Sequence, residues 1–273
     1  LMGQLTEAWE TLQTCLALAE EFQDDSGRLS ALVSTGRVEL RLGNYHNALT
    51  SALKAEQVAQ RMENGGKLCE ALLLQAEAHE GINAFSSEVV TSLQRAREAI
   101  VKMDDRRALQ LVRGKLAWAY LLRGRAAVVV DMLEKKASTP SSNPSTGPEE
   151  EEDDWHTLTA LGTAYSQQRR HDKALDCMLR AYSLISAPSG EWVAPADKAT
   201  QALNVSMCYL SLHNLQEAVK WLKHAAAIFD EGQRNVRSND SWNQSVFSRG
   251  VLIFEVLQLV QAKLQNIEES LET

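Results

Sequence analysis

Residues 155–182 read WHTLTALGTAYSQQRRHDKALDCMLRAY, and their spacing decides the fold. Leu158, Leu161, Gly162 and Tyr165 follow one another at intervals of three, one and three. That pattern puts two large apolar groups, one small residue and one aromatic on a single helical face. The polar QQRRHD that follows turns the chain, and Ala174, Met178 and Ala181 mark the apolar stripe of a second helix. An antiparallel hairpin of these two helices needs close approach at Gly162 and Ala174, with Tyr165 filling the space between them.

Outward from this stretch the unit recurs. The first-helix small position falls at Gly36, Ala117, Gly162 and Ser206, with Leu74 in the same place in one copy. The steps between these positions are 38, 43, 45 and 44, and one more step of 44 reaches Gly250. The chain opens with Gly3, Ala8, Leu12 and Cys15, which reads as a turn and a second helix without its first, as in a fragment of a longer protein. The next unit spans about 30–62, with Ala48, Ala52 and Ala55 on its second helix; Asn64, Gly65 and Gly66 read as its stop. Units over about 67–103 and 106–136 follow, the latter with a β-branched second helix. The quoted stretch and a last full unit occupy 155–229, and VFSRGVLIFEVLQLVQAKL, within 241–266, is expected to be one capping helix.

The spacing resembles the tetratricopeptide pattern W-x2-L-G-x2-Y followed by A-x3-F, with Leu158 in the Trp position and Met178 in the Phe position. The likeness is strong in the last three full units, fair in the second and weak in the third. Tetratricopeptide units typically have 34 residues. These average about 42, similar to the subclass in kinesin light chains. The resemblance implies an all-α, right-handed α-α superhelix of helix hairpins closed by a C-terminal capping helix. It also implies a non-enzymatic scaffold or adaptor that binds a peptide segment or partner subunit in a concave groove. The alternative is a regulatory module of a larger signalling or transcription protein. Both rest on a fold-level analogy.

Composition bounds the rest. The net charge of −8 is concentrated in EEEEDD at 149–154, which leaves −2 elsewhere. No basic patch suits nucleic acid, and no eighteen-residue apolar run suits a membrane span. Residues 138–154, STPSSNPSTGPEEEEDD, are too polar to offset chain ordering and read as an acidic disordered linker. This linker separates repeats over 1–137 from those over 155–229. A solvated linker is one reading of it; the others are an autoinhibitory tether and, from the acidic run alone, a chaperone for basic proteins. The four cysteines, Cys15, Cys69, Cys177 and Cys208, each fall inside an expected helix without a CxxC or a Cys/His cluster. They read as buried free thiols of a reducing, cytosolic or nuclear protein. The six histidines are scattered, with His171–Asp172 in a turn, and no P-loop, G-x-G-x-x-G, H-E-x-x-H or G-x-S-x-G is present. Hence no catalytic residue, metal site or cofactor is expected.

In this register, first-helix positions off the packing face line the groove. They include Ser34, Arg37 and Arg41, then Gln75 and His79, then Lys115, Trp118 and Leu122. Thr159, Thr163 and Gln167 follow, then Asn204, Met207 and Ser211. Arg37 and Arg41 lie four apart, where a guanidinium pair suits a carboxylate or phosphate; the other reading of the pair is a solvated face. Trp118 neighbours the small position, where the repeat needs no large group, and reads either as an anchor wall or as packing on the next helix. The expected partner is an extended acidic or phosphorylated segment with one bulky apolar residue. The strongest site candidates are Arg37, Arg41, His79, Lys115, Trp118 and Asn204.

Overall fold

The structure is a computed structural model that describes residues 2–103, 105–134, 154–187, 193–235 and 244–271. The expected acidic linker lies outside the described residues except for Asp154. Twelve helices, several joined by short turns, lie among the described residues. The chain divides into two compact units, Leu1–Arg125 and Ala126–Thr273.

The first unit contains α1 (Met2–Glu21), α2 (Asp25–Arg41), α3 (Tyr45–Arg61), α4 (Gly65–Ile82), α5 (Ser87–Val101) and α6 (Arg106–Leu122). Each helix packs on its neighbour in sequence, and α2 also touches α4. Alanines make this possible. Ala48, Ala52, Ala55 and Ala59 of α3 are wholly buried and let α2 and α4 approach its axis. Leu29, Leu32 and Val33 of α2 close on Ala55, Val58 and Ala59 of α3 and on Ala71 of α4. The large residue at the small position of the third unit is accommodated by its neighbour: Leu74 packs directly over Gly36, which has no Cβ to meet it.

The second unit contains α7 (Ala126–Glu134), α8 (Trp155–Gln167), α9 (His171–Ser186), α10 (Pro195–Ser211), α11 (Leu215–Asn235) and α12 (Gln244–Leu271). The close approach expected at Gly162 is present. A Cβ there would lie 3.0 Å from Met178 Cε and 3.2 Å from the Ala174 carbonyl oxygen. Tyr165 is buried beside it and donates its hydroxyl proton to Glu134. The register reaches α12, where Gly250 lies under the Phe229 ring and Ile253 is fully buried.

Among the described residues, six connections share one geometry. Gln23, Gly43, Glu63, Gly124, Arg169 and His213 all have positive φ, between 52° and 78°. In each case the N–H of the following residue donates to the carbonyl five residues back, as in Asn44 to Glu39 (2.9 Å) and Arg170 to Tyr165 (2.9 Å). This is the bond of a Schellman ending, which satisfies a carbonyl that the helix leaves orphaned. At some of these connections the residue after the turn also caps the next helix with its side chain: for example, Asp24 accepts from Ser26 N (3.1 Å) and Asn64 from Lys67 N (3.0 Å).

Four sequence readings are corrected. Gly3 lies inside α1 rather than in a turn. Gly65 and Gly66 begin α4 instead of stopping α3, because Glu63 takes the left-handed position and Asn64 the cap. They pack against Met103. His171 and Asp172 open α9 rather than forming a turn. Cys15 is exposed, whereas Cys69, Cys177 and Cys208 are buried. It lies in α1, which has one buried residue, Ala19, among those whose exposure is described.

Candidate functional site

In the first unit, ion pairs join successive first helices. Arg37 of α2 meets Glu70 of α4 at 3.5 Å, and Lys115 of α6 meets Glu77 of α4 at 2.8 Å. Beside the second pair lies a cleft of about 210 Å³. Ala76, Glu77 and Glu80 from the end of α4 form one wall, and Lys115, Trp118, Ala119 and Leu122 from the end of α6 form the other. Val89 and Leu93 of α5 supply the floor, with Ala84 in the intervening turn. Both floor residues are buried, while Trp118 and Leu122 remain 39% and 45% exposed. Ala117, next to Trp118, is wholly buried and carries the packing of α6. The indole is therefore free to present apolar surface to the cleft.

A larger hollow of about 460 Å³ lies between α1 and α2, with Leu12, Leu18 and Phe22 in its walls. Its carboxylate, Asp24, is occupied in capping α2 by accepting from Ser26 N at 3.1 Å. The Trp118 cleft differs in placing an indole and several charged groups together.

The structure brings Lys115 and Trp118 to one cleft and leaves the other site candidates elsewhere. Arg37 is held by Glu70, which Lys67 also engages at 3.0 Å. Arg41 is exposed in the last turn of α2, where a cation faces the negative end of the helix. His79 is half-buried near the end of α4 and outside the cleft lining. Asn204 belongs to α10 in the second unit, half-buried, and donates Nδ2 to Gln201 Oε1 at 3.3 Å.

Two groove candidates turn inward. Gln75 is 2% exposed and donates to Glu56 at 2.6 Å. Glu56 also accepts from Gln60 at 2.8 Å and pairs with Arg95, so this buried carboxylate is fully answered. Thr159 is likewise buried, and its hydroxyl lies 2.7 Å from the Trp155 carbonyl and 3.0 Å from Gln201 Oε1. In both cases a polar side chain satisfies a polar partner inside the stack, which periodicity cannot distinguish from a groove position. Glu77 and Glu80 were missed because they carry no repeat signal. The opposed charges of Glu77 and Lys115 on successive first helices were the available clue.

Burial also shapes the ionisable groups. It raises the thiols of Cys69 and Cys208 from 9.0 to about 11, helped at Cys69 by Glu70 and Asp105. Burial, then the bond to Glu134, raises the Tyr165 phenol from 10.0 to about 12. Among the described residues, no group of three or more His, Cys, Asp or Glu could hold a metal ion, and no helix is long and apolar enough to cross a membrane.

Comparison with known proteins agrees with this architecture. Residues 156–188 match the tetratricopeptide repeat model. A search of curated protein sequences finds no match. Among solved structures, BtubC (BKLC) from P. vanneervenii is similar over 88% of this chain and 96% of its own, at 13% identity and a TM-score of 0.68. The quorum sensor NprR from B. thuringiensis, in its apo form, is similar over 92% of this chain and 64% of its own, at 14% identity and a TM-score of 0.66. NprR in complex with its cognate peptide NprX also matches, over 97% and 72%, at 14% identity and a TM-score of 0.57. The nearly identical repeats of a putative kinesin light chain from Podospora anserina match over 76% and 98%, at 16% identity and a TM-score of 0.54. These likenesses show the fold: residues 156–188 are a tetratricopeptide repeat, and the chain is built as a tetratricopeptide-like helical repeat protein.

Proposed function

From that architecture we propose that the chain is a non-enzymatic interaction scaffold or adaptor. It takes a peptide segment or partner subunit on the first-helix face of its first unit, with Trp118 as the anchor wall. The observation that carries this reading is the half-exposed indole beside a wholly buried Ala117: the fold does not need the ring, and the cleft offers it to a ligand. Aromatic anchors in such recesses contribute disproportionately to binding. That NprR is seen with a bound peptide supports a peptide as the partner class.

An acidic or phosphorylated partner has less support than an apolar anchor. Arg37 and Lys115 each face a carboxylate of α4, so an anionic ligand would have to displace Glu70 or Glu77. The anchor role of Trp118 is tested by affinity capture with the full chain, as wild type and as Trp118→Ala, each checked by circular dichroism. A partner retained by the wild type should be lost or weakened at least tenfold with the variant, the loss of one anchor of roughly 2 kcal/mol. Equal retention by both proteins, with equal helical content, would reject this site.

A further inference from the structure

The Trp118 cleft also carries information about the charge of what it binds, and this inference rests on the reading above. Glu77 and Glu80 stand on the last two turns of α4, the negative end of that helix. Lys115 covers Glu77, but no ion pair among the described residues covers Glu80. The basic residue in the last turn of α4 is His79, and it stands outside the lining. The facing end of α6 is already answered, because Arg123 donates Nη1 to the Ala119 carbonyl at 2.6 Å.

Helix α5 points its positive end towards the same region, through Val89 in its first turn. That end is neutralised locally. Ser86 caps it, and the Ser86 hydroxyl donates to Glu88, holding the Glu88 carboxyl below its ordinary range; the backbone and Ser87 also contribute. The cleft thus combines an indole and leucine wall with one uncovered carboxylate on the α4 side.

We propose that the cleft selects a basic–apolar segment: an apolar side chain seated against Trp118 and Leu122, with a Lys or Arg next to it that pairs with Glu80. A long basic side chain suits this geometry, since its methylene stem lies along apolar surface while its charge reaches the rim. An indole face also attracts a cation. A carboxylate or phosphate beside the anchor would instead meet Glu80 and the negative end of α4. Glu80 therefore selects between partners by repulsion as well as attraction.

The test is selection of an unbiased displayed library of short random peptides against the whole 273-residue chain. It is run in parallel on Trp118→Ala and on Glu80→Lys, a change at an exposed position. The expected result is enrichment of sequences pairing an apolar residue with Lys or Arg. The enrichment disappears with Trp118→Ala, and recovered peptides bind Glu80→Lys about fivefold more weakly, the scale of one exposed charge pair. Raising the salt concentration should narrow that difference. Sequences that depend on Trp118 but favour Asp, Glu or neutral neighbours would overturn the charge selection and leave the anchor intact. Enrichment unaffected by Trp118→Ala, or no enrichment over the unselected library, would overturn both.

Discussion

At the residue scale, the most informative groups are the ones held away from water. Cys69, Cys208 and Tyr165 keep their protons in the folded chain to about pH 11, 11 and 12, against 9.0, 9.0 and 10.0 ordinarily. Below about pH 9 both folded and unfolded states are protonated at these positions, and they make stability independent of pH. Above it the unfolded chain sheds protons that the folded chain retains, so stability falls as pH rises. Thermal unfolding followed by circular dichroism should show a melting temperature that declines from pH 9 to pH 11. Cys208→Ala and Cys69→Ala should each flatten the decline. An unchanged slope in the double variant would show that these thiols do not control it. Which cysteines were buried was only partly legible in the sequence. Helical placement was visible for all four, but burial depends on what covers the helix, and α1 leaves Cys15 exposed.

At the element scale, the six left-handed turn positions form an internal experiment. Two are glycine and four are Gln23, Glu63, Arg169 and His213. A left-handed conformation costs an L-residue about 1–2 kcal/mol, a cost met here because the turn satisfies orphan carbonyls. Arg169→Gly and His213→Gly should each raise stability by up to about 1 kcal/mol, the relief being partly offset by greater freedom in the unfolded chain. Gly43→Ala should lower it by about 1 kcal/mol, although a Cβ there meets open space. Chemical denaturation of the three variants checks both signs. Hairpin existence was legible because small residues must recur where axes approach; hence Gly36, Ala117, Gly162, Ser206 and Gly250 all hold their places. Turn conformation was not, because nothing in a Glu or an Arg announces positive φ. The Trp118 anchor position was visible as an unnecessary large residue, whereas Glu80 and the floor of its cleft became apparent only once α4, α5 and α6 were assembled.

At the scale of the whole molecule, the main packing among the described residues runs between helices adjacent or next-but-one in sequence within each compact unit. Such chains behave as sums of local stabilities and nearest-neighbour interfaces. Leu222 is wholly buried among Ala199, Ala202 and Ile253, and Leu222→Ala should remove about 2–5 kcal/mol from its surroundings. Hydrogen exchange read by mass spectrometry should then speed up in α10, α11 and α12 while α2, α3 and α4 keep their protection. Uniform acceleration across both units would show a single cooperative body instead. The same local packing bears on synthesis. A chain with low contact order closes few long loops, so its early helices need nothing from its late ones. As the polypeptide leaves the ribosome, α2 can dock on α3 and α4 well before α8 has been translated, and the nascent chain shelters its apolar stripes one hairpin at a time.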